Sequence, residues 1–405
     1  MNLAYVVSRF PVASETFIVR ELNALEDEHR VDVALLALFA ATHPFVHPEA
    51  ARWMSRVRRV DGPFGAAALV SWLVRRPFVT VSILAEVVRA YAGRPKLLVR
   101  ALATVPLACA HALRVERAGL RHVHAHFATY PALTAWICQR LTGCTYSVTA
   151  HAHDLFVHQC HLRAIVRDAS FVVTISEFNR RFLKDYGGDD ATPVHVVRCG
   201  VDPARYPSAP RGPALAGRVR VLCVASLEEY KGHRILLEAL SRRDEGLARI
   251  DVDLVGDGSL REELEALAAK LGLTCRVRFL GTRDEAAVAA LLAAADLFVL
   301  PSVVAADGQM EGIPVALMEA LACGVPTVAT RLSGIPELVQ DGATGLLAEP
   351  GDASALAGAL SRTLADPAAA RQRAAAGRAL VEREYDVRRS ADELQRLFSA
   401  VLARS

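Results

Sequence analysis

Short apolar runs of strand length alternate along this chain with longer stretches in which apolar residues recur every three or four positions. Consecutive apolar residues suit a strand buried on both faces, and the intervening pattern suits a crossover helix. In the first half the runs predict strands at Leu3 to Val7, Val31 to Leu36, His122 to Ala125, Tyr146 to Thr149, Phe171 to Ile175 and Val194 to Val197. A breaker-rich stretch with Pro203, Pro207, Pro210 and Pro213 interrupts the alternation. It then resumes at Arg220 to Ala225, Ile250 to Val255, Val277 to Leu280, Leu297 to Leu300, Pro326 to Ala329 and Gly345 to Leu347. The expected fold is α/β, with two Rossmann-like, doubly wound parallel-sheet domains facing across a cleft. In such sheets ligands bind beyond the carboxyl ends of the strands.

Composition narrows the picture. With 405 residues, 52% hydrophobic and 22% charged, the chain is long enough for two domains and too apolar to be disordered. A net charge of +3 calls for no nucleic-acid partner. The eight cysteines, at 109, 138, 144, 160, 199, 223, 275 and 323, form no CxxC pair and read as buried reduced thiols of a cytoplasmic protein. The opening MNLAYVVSRFP reads as a core strand without the marks of a signal peptide. The longest uncharged apolar stretches, Phe64 to Val74 and Ala101 to Leu113, fall short of the roughly 18 residues that span a bilayer, so no transmembrane helix is expected.

The second half carries the densest chemistry. Predicted strands are followed by SLEEYKG (Ser226 to Gly232), by Gly256-Asp257-Gly258, by the Phe279-Leu280-Gly281 segment and by Pro301-Ser302. Gly256 and Gly258 permit close backbone approach, and Lys231 offers a point charge suited to phosphate. A GDG alone is equally a plain turn. In EGIPVALMEALACGVP, Glu311 lies in a loop, Gly312 and Pro314 open a helix that continues from Ile313 and Val315, and Glu319 falls about two turns on. The helix start faces its free amides towards an anion, and with Lys231 it would stabilise a diphosphate without metal. Two glutamates seven residues apart could also be a solvated face. This helix, though, is apolar nearly all round, and a buried Glu319 needs a partner.

The whole chain resembles the retaining glycosyltransferases of family 4, which have the GT-B architecture, and in particular the exopolysaccharide enzymes of the colanic-acid type. Glu311 with Glu319 matches that family's paired-Glu motif, Gly256-Asp257-Gly258 its GDG turn, Lys231-Gly232 its KG signature, and Gly334-Ile335-Pro336-Glu337 with Gly345 its following loop. The resemblance implies that Glu319 binds the nucleotide ribose, Glu311 meets the donor sugar and Lys231 meets the diphosphate. Ser226, Phe279, Leu280, Gly312, Ile313, Pro314 and Val315 complete the donor-side segments. One position departs from the family: Ser226 stands where an Arg usually forms a second diphosphate clamp.

In the first half, Thr149-Ala150-His151-Ala152-His153-Asp154 follows a predicted strand, where the family places a His beside the reacting sugar. His151 is that candidate, with His153 second and Asp154 as the group that orients the imidazoles. The alternation His122, His124, His126 could mark a metal site, but strand-end or core histidines are the preferred reading and no metal is expected. Phe10-Pro11 and Ser14-Glu15-Thr16-Phe17 match an acceptor-side loop of the colanic-acid type; Ser14 could equally cap a helix running to about Glu28. Between Arg52 and Arg100 ten basic residues stand against two acidic ones, interleaved with Trp53, Phe64, Trp72, Phe78 and Tyr91. That composition fits a helix lying on an anionic membrane, and equally a lid with a solvated basic face.

The resemblance thus implies a retaining, metal-independent hexosyltransferase that takes a nucleotide diphosphate-sugar donor and a saccharide or polyprenyl-diphosphate-linked saccharide acceptor in cell-surface polysaccharide synthesis. It would be cytoplasmic or peripheral on the inner face of the plasma membrane. Residues 1–205 would bind acceptor and carry the 52–100 insertion, residues 206–385 would bind donor, and 386–405 would form a helix returning to the first domain. Two rivals stay open at this point: a silent binding protein of the same fold, which Ser226 favours, and a metal-dependent amidohydrolase using His151 and His153.

Overall fold

The computed structural model describes residues 2–12, 15–41, 48–157, 159–206 and 217–404. They form two compact units, Met1–Arg198 with Val387–Ser405, and Cys199–Asp386. The change of unit precedes the proline-rich stretch, because the Val201 amide donates to the Tyr385 carbonyl at 2.9 Å and so already belongs to the second unit.

Each unit holds a six-stranded, wholly parallel sheet. In the first, the order is β2-β1-β3-β4-β5-β6, from β1 (Asn2–Arg9), β2 (Asp32–Phe39), β3 (His122–His126), β4 (Thr145–Ala150), β5 (Phe171–Thr174) and β6 (Val194–Val196). In the second it is β12-β11-β10-β7-β8-β9, from β7 (Val219–Val224), β8 (Ile250–Val255), β9 (Val277–Gly281), β10 (Leu297–Leu300), β11 (Thr327–Thr330) and β12 (Leu346–Ala348). All twelve predicted strands are present, their ends moved by three residues or fewer. The strand order reverses between β1 and β3 and between β7 and β10. Such reversals open a crevice beyond the strand ends, because the connections leave in opposite directions.

After β2 the first unit inserts three helices, Gly62–Arg75, Pro77–Tyr91 and Pro95–Arg117. Each opens with a proline in its first turn, where the missing amide is no loss. Asp61 caps the first by accepting the Phe64 amide at 2.8 Å. The first two pack on the third, which packs in turn on the helix Tyr130–Thr142. This third helix is longer than its uncharged run and, at 23 residues, is long and apolar enough to cross a bilayer by length and composition. Half of its apolar window is nevertheless buried within the unit, and the Trp72 indole donates to the Cys109 carbonyl at 3.0 Å.

The expectation of aromatic residues facing a membrane is corrected here. Trp53 and Trp72 are fully buried and Tyr91 nearly so, whereas Phe78 is 89% exposed. Trp72 lies four residues after Ala68, and Tyr91 four after Val87, which places both on the inward stripe of their helices. The cysteines also differ from expectation: Cys275 is exposed, and Cys160 and Cys199 are partly so.

The last helix, Val387–Leu402, belongs to the first unit and packs on the helix Thr16–His29. Phe398 anchors it, with ring centroids 5.1 Å from His124, 5.7 Å from His122 and 6.1 Å from Tyr5.

Candidate active site

In the second unit the loops after β7 and β10 meet at the reversal point. Gly232 takes a left-handed φ of 72°, and a Cβ there would lie 1.9 Å from the Pro301 carbonyl oxygen, so no other residue fits. The Val303 amide donates to the Tyr230 carbonyl at 2.9 Å, and the Ala306 amide to Glu229 Oε1 at 3.2 Å. This lacing fixes the short turn that carries Lys231. Its ammonium forms an ion pair with Glu311, from the loop after β10, and both side chains are nearly buried. Burial works against the Lys231 charge, but the charge of and hydrogen bond to the Glu311 carboxylate, with Tyr230 adding to them, more than offset it, so its pKa is raised.

The GDG turn closes the neighbouring edge. A Cβ on Gly256 would lie 1.9 Å from the Ala225 carbonyl oxygen, while the Gly256 amide donates to the Gly281 carbonyl at 3.0 Å. Glu228 accepts from the Ser259 amide at 3.0 Å and hydroxyl at 2.6 Å, tying the Ser226 to Gly232 loop to this turn. Ser226 is partly exposed between them, Asp257 is exposed, and Phe279 and Leu280 are half-buried at the end of β9. Arg261, on the helix after the turn, brings Nη1 to 3.5 Å from Asp257.

Helix Val315–Ala322 starts after Pro314, with Gly312 and Ile313 buried and Val315 partly so. Glu319 lies inside it and is buried, and the partner its burial demands is Tyr206, whose hydroxyl donates to Glu319 Oε1 at 2.8 Å and reaches Glu285 at 3.3 Å. Sequence reading missed both Tyr206 and Glu285. Tyr206 borders the proline-rich stretch, and nothing in the local sequence marks it as the partner of a residue 113 positions away.

In the first unit, the ends of β3 and β4 and the helix Thr16–His29 gather the predicted His151 with residues not predicted as its partners. His151 is 7% exposed, with Nε2 3.3 Å from Nδ1 of His126. His126 Nε2 lies 2.9 Å from Glu21, which also accepts the Tyr5 hydroxyl at 2.8 Å. Burial, with His126 beside it, pushes the His151 pKa well below the ordinary value, so its imidazole is neutral. Asp154 corrects an expectation. Its buried carboxylate accepts the backbone amides of His151, at 2.9 Å, and of Ala128, at 2.6 Å, so it holds the turn and not the imidazoles. Burial raises its pKa to about 6 despite those amides.

His153 is exposed on the neighbouring short helix, away from the buried environment of His151. Glu15 precedes the helix Thr16–His29, is mostly buried, and has its pKa raised to about 7 by that burial against the lowering effects of His126 and Arg9. Thr16 opens that helix, and Ser14 lies outside the described residues.

The histidine alternation is a hydrogen-bonded ladder. His122 meets Thr145 at 2.9 Å and Ser147 at 2.8 Å, and His124 meets Ser147 at 2.8 Å and Thr149 at 2.9 Å. Glu21, His124 and His126 do place ligand-type atoms within 4.8 Å of one another. Both nitrogens of His124 already face β4 hydroxyls, which accounts for its burial without an ion.

Residues 211–380 match the family model of the glycosyl transferases group 1. A curated relative, the phosphatidyl-myo-inositol mannosyltransferase of Mycobacterium leprae, is 31% identical over 69% of this chain and 73% of its own length. The chain belongs to the group 1 glycosyltransferases. Within that family, AmsK of Erwinia amylovora, named as an amylovoran biosynthesis glycosyltransferase, is 38% identical over about half of each protein, 52%. WcaL of Salmonella typhimurium, named for colanic acid biosynthesis, is 28% identical over 89% of this chain and 90% of WcaL. Among solved structures, Anabaena Alr3699/HepE, crystallised with UDP, superposes with a TM-score of 0.74 over 98% of this chain and 99% of its own, at 20% identity. The GT-B fold follows, and the glycosyltransferase takes its place among relatives of exopolysaccharide and glycan synthesis.

Proposed function

We propose that the chain moves a hexose-type sugar from a nucleotide diphosphate donor to an acceptor hydroxyl, with retention of configuration and without a metal. The observation that carries this reading is the Lys231 and Glu311 ion pair at the β7 and β10 reversal point, ahead of the helix Val315–Ala322. An incoming diphosphate would take over the Lys231 ammonium and meet the open amides of that helix, which together stabilise the leaving group. Glu311, released from Lys231, would then face the sugar. Glu319 would hold the ribose hydroxyls while Tyr206 fixes its carboxylate. His151, in the first unit, would meet the sugar as a neutral imidazole. With no nucleophile assigned beside the sugar, the acceptor would attack the departing face and give its proton to the leaving diphosphate. Positioning and fixed charge then supply most of the rate.

The acceptor we propose is a saccharide or polyprenyl-diphosphate-linked saccharide of exopolysaccharide synthesis, met in the cytoplasm at an anionic membrane surface. AmsK and WcaL are named for such polymers, and this supports the class of acceptor. Ser226, in place of the usual Arg, favours a silent binder as the second reading. A thermal-shift screen of UDP-, GDP- and dTDP-sugars in EDTA, followed by release of nucleoside diphosphate from each hit, separates the two. A hit with turnover supports the transferase, and a hit without turnover supports the binder.

A further inference from the structure

We propose that the corner between the helices Gly62–Arg75 and Pro77–Tyr91 inserts into the surface of an anionic lipid bilayer. A helix on a water-soluble surface turns a polar face outwards. These two do not. The outward positions of the first are Gly62, Pro63, Ala66, Ala67, Val70, Val74 and the terminal Arg75, and those of the second are Pro77, Phe78, Val81, Ala85 and Val88 with Arg89, so each face carries a single charge near its end. Val74 is 77% exposed and Phe78 89%, on either side of the Arg75-Arg76-Pro77 corner. The following helix adds Val99 beside Lys96 and Arg100.

Charge identifies the occupant. From Gly62 to Arg100 there are six basic residues, Arg75, Arg76, Arg89, Arg94, Lys96 and Arg100, and one acidic residue, Glu86. Glu86 is turned inwards, 3.5 Å from the buried His161. Apolar side chains framed by cations match acyl chains beneath anionic headgroups, the arrangement of an interfacial helix. Arg52, Arg56 and Arg75 do not share this role, since they pair with Asp27, Glu26 and Glu116. The inference rests on the proposed membrane-side acceptor only for its purpose.

The test is co-sedimentation of the full chain with vesicles of phosphatidylcholine alone or with phosphatidylglycerol. The wild type should prefer the anionic vesicles at least tenfold. Val74→Ser with Phe78→Ser should weaken binding tenfold or more and leave a remainder released by salt at about 0.5 M. Arg76→Gln, Arg94→Gln and Lys96→Gln together should abolish the preference. All these side chains are exposed, so melting temperatures should stay near wild type, which a thermal scan checks. Wild type that ignores both vesicles, or a serine variant that binds equally, overturns the proposal. So does a lipid-free dimer that the serine variant dissolves, since a second copy would then cover the face. Donor hydrolysis in lipid-free buffer reports on the transferase reading separately.

We also infer that Glu21 and His126 are positioning residues for His151. Glu21 holds Nε2 of His126 at 2.9 Å, which places the proton there and leaves Nδ1 as an acceptor. That Nδ1 lies 3.3 Å from His151 Nε2, so His151 carries its proton on Nε2 and keeps a bare Nδ1. Rings of Phe17 and Phe127, with centroids at 4.9 and 4.7 Å, hold the imidazole plane. A bare Nδ1 accepts from a sugar hydroxyl and rejects a carboxylate, which would favour hexoses over uronic acids. Nitrogen-15 NMR of histidine-labelled protein should show the Nε2–H tautomer of His151. Glu21→Gln should mix the tautomers and lower kcat tenfold or more at unchanged nucleoside diphosphate affinity, with Glu21→Asp recovering part of both. An unaltered His151 spectrum in a folded Glu21→Gln variant overturns the assignment, whether or not the protein is a transferase.

Discussion

Breaking the Lys231 and Glu311 pair from its two sides should move nucleotide affinity in opposite directions. The side chains are only 14% and 11% exposed, so either substitution leaves a nearly buried charge alone. Removing one partner of a buried pair costs about 3–5 kcal/mol, and the remaining exposure places this pair near the lower figure. In a unit of 150–250 residues each kcal/mol lowers the melting temperature by about 2–4 °C, so Glu311→Gln should cost the second unit about 6–12 °C. A nucleoside diphosphate then brings the missing anion to Lys231. If half of the penalty is relieved on binding, affinity rises by about tenfold, since 1.4 kcal/mol is one decade. Lys231→Ala does the reverse: it leaves the Glu311 carboxylate to repel phosphate, so affinity should fall tenfold or more and the ligand-induced thermal shift should disappear. Calorimetric titration with UDP and GDP, alongside thermal scans, measures all four quantities. A Glu311→Gln variant that melts like wild type, or binds no nucleoside diphosphate more tightly, would refute the reasoning.

Glu319→Ala should weaken nucleoside diphosphate binding by about tenfold or more, the worth of a charged hydrogen bond at about 1.5–3 kcal/mol, and Tyr206→Phe should shift it the same way by less; equilibrium titration checks both. Ser226→Ala should keep most turnover while Lys231→Ala removes nearly all of it, and equal losses in a donor-release assay would show Ser226 to be a specialised contact. Burial, helped by Arg114, pushes the His111 pKa down to about 3. The folded state therefore binds fewer protons than the unfolded one, and the stability His111 lends is present above its unfolded value of about 6.5 and lost as pH falls. His111→Leu should accordingly flatten the fall in unfolding free energy by about 1.4 kcal/mol per pH unit between pH 6 and 4, and parallel slopes for variant and wild type would contradict it.

How far the sequence reached follows from the range of its signals. Strands buried on both faces are continuous apolar runs, so β8 and β10 were legible to the residue, and β3 was legible even though three of its five residues are histidines. Glycines whose Cβ would strike a neighbouring strand end, Gly232 and Gly256, marked the loops that carry Lys231 and the GDG turn. Contacts between distant residues left no local trace. The Lys231 pair spans 80 positions and the His126 to Glu21 contact 105. In the 52–100 insertion, composition counted aromatics and cations without saying which way they turn. The helical stripe of Ala68 and Trp72, then Ile83, Val87 and Tyr91, held that information, and it leaves Phe78 outside.

The central claim is transfer from a nucleotide sugar with retention, without a metal. It is tested most directly by proton NMR of the sugar first released from an α-linked donor, taken from the thermal-shift hits and incubated with the full chain in EDTA. An α-anomer appearing ahead of mutarotation, at a rate unchanged by added Mg or Mn ions, is the expected result. A β-anomer, or release that begins only when a divalent cation is supplied, would contradict the account.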